Sequence, residues 1–133
     1  MFRMPFSQRR LPLNGTPPVR RMKMYSAASG YVYHYFYEGY RATRHGAESG
    51  VEYVFSVSAD RKQWNPASVM LSDAALRAWE ESHQPELSAT ERYAVAKIAL
   101  FQAFDERETP AQLHGEILVR AADLEAIAET LDL

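Results

Sequence analysis

The stretch YVYHYFYE, residues 31–38, sets four tyrosines against Val32, His34, Phe36 and Glu38 in strict alternation. Successive side chains of a β-strand point to opposite faces, so Tyr31, Tyr33, Tyr35 and Tyr37 project from one side. Aromatic and β-branched residues favour a pleated strand. Downstream, Arg41 to Gly50 reads as a turn region, with Gly46 and Gly50 supplying a permissive backbone. Residues 51–58 then alternate again: Val51, Tyr53, Phe55 and Val57 share one face, and Glu52, Val54, Ser56 and Ser58 share the other. The connection is too short for a parallel crossover, so the two segments predict an antiparallel hairpin. A turn at 59–62 leads to a third short strand over Ala67 to Leu71, with Pro66 at a position where a missing donor costs least.

The period then changes from two to helical. Ser72 can cap a helix beginning at Asp73, an acid suited to the positive end of the helix dipole. Ala75, Leu76 and Trp79 form its apolar stripe, and Pro85 ends it. Ser88-Ala-Thr-Glu91 is a capping box, which predicts a helix over about 89–107. Val95, Ile98, Ala99, Leu100, Phe101, Ala103 and Phe104 cover more than one side of it, as expected of a central, buried helix. Gly115 to Arg120 is a candidate fourth strand. A last helix over about 121–131 shows Leu124, Ile127, Ala128 and Leu131 at helical spacing. The order is β-β-β-α-α-β-α. The expected class is α+β: an antiparallel sheet of three to four strands, meander first, carrying two to three helices on one face.

Residues 1–24 contrast with this. They contain Arg3, Arg9, Arg10, Arg20, Arg21 and Lys23 and no acid, a charge of +6. The remaining nine bases and seventeen acids leave the rest of the chain at −8. Pro5, Pro12, Pro17 and Pro18 also fall in this segment. Its composition predicts a disordered, basic, proline-rich tail ahead of a single domain over 25–133. Arg9 and Arg10 are followed by prolines rather than an apolar run, which does not fit a secretory leader. No stretch approaches the roughly 20 apolar residues of a membrane span, so no membrane partner is expected. The chain has no cysteine, which excludes disulfides, thiolate metal sites and cysteine nucleophiles and fits a cytoplasmic protein.

Several groups invite a chemical reading. The tyrosine ladder offers flat rings and hydroxyls suited to stacked bases or a protein interface, and Tyr40 or Tyr53 can extend it. Packing beneath the helices explains the same pattern and is the favoured reading. His34, on the opposite face, joins the tyrosines as a candidate binding residue. Asp60-Arg61-Lys62-Gln63-Trp64 places a cation and an indole at one turn, where Arg61 and Trp64 are candidate ligand contacts. Alternatively the indole closes the core and the charges solvate the turn. Glu80 and His83 have the Glu-x-x-His spacing of carboxylate-bridged metal bundles, but those need a second copy and further carboxylate helices. No metal site and no cofactor is therefore expected. Walker, Rossmann, nucleophile-elbow and zinc-protease motifs are all absent, so no catalytic residue is assigned.

The leading expectation is a non-enzymatic binding or regulatory protein that self-associates as a homodimer through its aromatic sheet. One alternative is single-stranded nucleic-acid binding by Tyr31, Tyr33, Tyr35 and Tyr37 with the basic arm. Another is a small enzyme using His34, Glu38 or Tyr35.

Overall fold

A computed structural model describes residues 11–83, 86–113 and 115–133. Alternation over the tyrosine stretch does produce the central hairpin. The strands are β1 (Lys23–Ser26), β2 (Val32–His45), β3 (Glu48–Ser58), β4 (Asn65–Ser72) and β5 (Glu116–Val119). The helices are α1 (Asp73–Ser82), α2 (Ala89–Glu106) and α3 (Ala121–Thr130). The class is α+β, as expected, but the order is β-β-β-β-α-α-β-α.

One sheet contains all five strands, in the order β1-β2-β3-β4-β5. The first three pairings are antiparallel and β4 pairs with β5 in parallel. This corrects the expected three- to four-stranded antiparallel sheet in two respects. The strand β1 is only four residues long and shows no periodicity of its own; pairing with Val32–Tyr35 creates it. In turn, β5 follows two helices that return the chain to the end of the sheet from which β4 started, so it enters parallel. Lys23 and Met24, which composition groups with the tail, belong to β1.

The hairpin is also longer than its alternation suggests. The expected turn over Arg41–Gly50 shrinks to Gly46 and Ala47, because the ladder runs on through Arg41↔Glu52 and His45↔Glu48. Gly46 has φ +62, which glycine adopts without strain. The helix starts form as the caps specify. Ser72 Oγ accepts from the Ala75 amide at 3.3 Å, and Ser88 and Glu91 satisfy each other's backbone amides.

All three helices cover the face that carries Tyr33, Tyr35, Phe55, Val57, Val69 and Leu71. Val95, Leu100 and Phe104 of α2 and Leu124 and Ile127 of α3 complete this core and are almost fully buried. On a rough scale of about 2 kcal/mol for each fully buried large apolar side chain, this face supplies the main driving force for folding.

The opposite face is smaller and more polar. It buries Met70 and an ion pair in which Arg41 Nε donates to Glu52 Oε1 at 2.5 Å, with Glu52 only 2% exposed. Part of it is crossed by residues 11–20. Asn14 and Tyr40 exchange two backbone hydrogen bonds of 2.7 and 2.9 Å. The Thr16 hydroxyl donates to the Glu38 carbonyl at 2.7 Å, and Arg20 pairs with the Glu38 carboxylate while its guanidinium lies 4.0 Å from the Phe36 ring centre. The free edge of β2 beyond β1 thus gains partners from this segment, as an unpaired sheet edge requires. The basic residues before Leu11 lie outside the described residues.

Candidate functional site

A bulge in β2 sets up the site. Tyr37 stands opposite Phe55, Gly39 opposite Val54 and Tyr40 opposite Tyr53, so Glu38 is one extra residue. The insertion reverses the alternation beyond it. Tyr40 therefore joins Tyr37 and Tyr53 on the helix-covered face, and Arg41 turns to the other side to meet Glu52. Gly39 makes the bulge feasible. Its φ is +131, and a Cβ there would lie 2.6 Å from the Asn14 carbonyl oxygen and 3.1 Å from Leu13 Cβ.

The ladder then divides. Tyr33 stacks on Phe104 at 4.2 Å with the rings 5° from parallel, and Tyr35 meets Phe101 edge-on at 5.8 Å. Both tyrosines are buried beneath α2. Tyr31 precedes the strand and is 40% exposed. Tyr37 is half-buried, 4.7 Å from the Tyr93 ring. The four ladder tyrosines are not a solvent-facing platform: Tyr33 and Tyr35 have no ring face left for a base.

Where the ladder ends, a groove of about 740 Å³ opens between the hairpin and the start of α2. Its walls include Tyr37, Tyr40, Tyr53 and Tyr93, with Val51 and Leu87 as apolar surface and Arg92 beside them. It also includes Ser88, Ala89 and Thr90, the N-terminal turn of α2. These small residues leave the space that Phe101 and Phe104 fill at the other end of the helix. None of the four tyrosine hydroxyls has a hydrogen-bond partner among the described residues, although Tyr53 is only 6% exposed. Outside the groove, Tyr25 donates to Asp105 Oδ2 at 2.7 Å, whereas the buried Tyr33 hydroxyl also has no partner among the described residues.

Burial keeps three of these hydroxyls protonated. Burial raises the Tyr37 hydroxyl above its usual range, helped by the neighbouring Tyr53, Tyr93 and Tyr40. Burial raises Tyr93 likewise. It also raises Tyr53, against a smaller opposing pull from Arg92. Near neutral pH all three can donate hydrogen bonds, and none is a phenolate nucleophile. The groove walls include no histidine and a single carboxylate, Glu86, which is exposed. A general base with a perturbed pKa, which an acid–base enzyme needs, is not among them.

The remaining candidates are scattered. His34 lies on the opposite face across from Ser58, and its Nδ1 is buried without a partner among the described residues. Glu38 shares that face and bonds Ser56 and Arg20, whereas Tyr35 points the other way. The grouping of His34, Glu38 and Tyr35 is thus split by the sheet. Trp64 packs on Phe36 at 5.2 Å, also on the outer face. Arg61 is exposed on a turn with φ +63. Its amide donates to Ser58 Oγ at 2.7 Å, and hydrogen bonds from Gln63, Lys62 and Ser58 hold the Asp60 carboxyl below the usual range. His83 stacks on Trp79 and its Nε2 lies 3.3 Å from Glu125; no group of three or more metal-ligating side chains forms among the described residues. Of the sequence-stated candidates, only Tyr37 borders the groove, with Tyr40 and Tyr53 as the proposed extension. Tyr93, Thr90 and Arg92 were missed. The available signal was the pair of small residues, Ala89 and Thr90, opening a helix otherwise rich in large ones.

No family model matches the chain, and no curated protein or solved structure does either. Among the described residues, no helix is long and apolar enough to cross a membrane.

Proposed function

We propose that this protein is a non-enzymatic binding domain that holds a small, ring-bearing molecule in the tyrosine groove. The observation that carries this reading is the convergence of four tyrosines on one groove with no protein partner for their hydroxyls among the described residues. Small-molecule sites have volumes of roughly 300–1,000 Å³ and are mainly apolar, with a few polar groups for orientation. Tyrosine meets both needs, offering a ring for stacking and a donor at its tip. The absence of cysteine supports a cytoplasmic setting. Protein-observed NMR with a library of aromatic fragments tests the reading. Binders should shift Tyr37, Tyr40, Tyr53 and Tyr93, and Tyr93→Ala should weaken them about tenfold, the worth of one stacked ring. Binders that shift only the outer sheet face, or a library without binders at millimolar concentration, would refute it.

A second reading, self-association, is favoured by the outer face near β1. Met24 is 68% exposed and Val32 40%, beside the half-buried Phe36 and Trp64. Pairing of two such faces in a homodimer would remove this apolar surface from water. Light scattering should then give a doubled mass that Met24→Glu returns to the monomer; a monomer at high concentration ends this reading.

A further inference from the structure

Hydrogen bonding along β1 leaves its far edge open. The Ala27 amide donates to the Tyr31 carbonyl at 2.8 Å, and the register pairs Tyr25 with Tyr33 and Lys23 with Tyr35. In an antiparallel pair, alternate residues direct their backbone groups to the same side. Lys23, Tyr25 and Ala27 therefore face β2, and the N–H and C=O of Met24 and Ser26 point away from it. β1 ends the sheet, and these outward groups have no partner among the described residues.

The side chains of β1 divide by the same period of two. Tyr25 stacks on Phe101 of α2 at 4.3 Å, so Lys23 shares the helix-covered side. Lys97 Nζ lies 5.9 Å from the ring of Tyr35, the register partner of Lys23. Burial, and next the nearby charge of Lys23, hold the Lys97 ammonium below its usual range. Lys23, Lys97 and the exposed Arg21 have no carboxylate partner among the described residues. On the other side Met24 is 68% exposed, beside the exposed Met22 and Val32. An unpaired edge flanked by apolar side chains is a template for another strand. A second copy would bring one cationic cluster up to another, and like charges across a strand pair repel, whereas opposite charges attract.

We infer that the β1 edge binds an extended acidic peptide as an added strand, its acidic side chains on the side of Lys23 and Lys97 and its apolar ones beside Met24. In this mode the outward backbone groups supply affinity and alternate side chains supply specificity. The site is separate from the tyrosine groove and does not depend on it.

NMR titration of the full chain with three synthetic peptides of equal length tests it: valine alternating with glutamate, with glutamine or with lysine. The glutamate peptide should bind about tenfold more tightly than the glutamine one, and the lysine peptide should be weakest. Binding should shift the Met24 and Ser26 amides and slow their exchange. Added salt should shrink the gap. Lys23→Glu should reverse the order of the glutamate and lysine peptides. Met24→Pro deletes an outward donor without costing a bond to β2, a position where an edge strand tolerates proline. It should weaken the glutamate peptide about fivefold. Equal affinity for the three peptides, or binding that leaves the Met24 and Ser26 amides unmoved, would overturn the inference. So would a doubled mass in light scattering with those amides protected before any peptide is added, which would assign the edge to a second copy.

Discussion

The two ends of the inner sheet face use the same residue type to opposite effect. At one end Tyr33 and Tyr35 are sealed beneath Phe104 and Phe101. At the other, Tyr37, Tyr40 and Tyr53 face Tyr93 and the small residues that open α2. Two things differ between these ends: β2 carries its bulge at Glu38 only at the open end, and the covering helix changes from large side chains to small ones. A row of aromatics becomes core where the helix supplies large side chains and becomes a groove where it supplies alanine and threonine. Packing density explains the outcome, because an interior tolerates few voids larger than a water molecule and large helix side chains fill the space over Tyr33 and Tyr35.

The comparison is broken most severely at its sealed end. Phe104→Ala should cost about 3–5 kcal/mol in denaturant unfolding, since a fully buried ring stacked on Tyr33 leaves a cavity the core cannot refill. A cost below about 1 kcal/mol would mean that this end is not sealed.

Alkaline pH probes the same end. Burial, with a smaller contribution from Tyr93, raises the Tyr35 hydroxyl from its ordinary 10.0 to about 12. The folded state therefore favours the neutral phenol. That stability is fully present below pH about 10 and is lost as pH rises from there towards about 12, a change of about 2–3 kcal/mol. Unfolding followed across this window should show the fall, and Tyr35→Phe should make it shallower, the remainder coming from Tyr37, Tyr53 and Tyr93. An unchanged slope in that variant would contradict the burial of this hydroxyl.

Gly39→Ala tests how the open end is built. The positive φ and the 2.6 Å approach of a Cβ to Asn14 oxygen should together cost about 2 kcal/mol. The variant should also loosen residues 11–20 and displace Tyr40, visible as faster amide exchange at Asn14 and Tyr40. Normal protection there would show that the bulge does not depend on glycine.

The smallest effect is the most discriminating. Tyr53→Phe should change stability by no more than about 0.5 kcal/mol, because its hydroxyl has no partner to lose among the described residues. A loss of 1 kcal/mol or more would show that the hydroxyl serves the fold instead of the groove.

Much of this architecture was legible in the chain. Alternation over 31–38 and 51–58 defined the hairpin, because the pleat enforces a period of two. Ser72 and the Ser88–Glu91 box marked two helix starts, because unpaired amides there need local acceptors. Leu124, Ile127 and Ala128 marked the last helix by spacing alone. These are local rules, satisfied within a few residues. What they do not contain is pairing between distant segments. The four residues of β1 carry no pattern and become a strand only when β2 offers an edge, as does the contact of Asn14 with Tyr40. The parallel entry of β5 depends on where two helices deliver the chain. The bulge at Glu38 is a mismatch between two strands, and no single strand can announce it; yet it places Tyr40 on the covered face and Arg41 opposite Glu52. The groove is the furthest from the sequence, since it is a space between β2, β3 and α2. The sequence by itself determined which residues form strands and helices, through backbone geometry and capping. Only the tertiary structure decided which tyrosines are core and which line a site, because that depends on the size of the side chains brought over them from elsewhere in the chain.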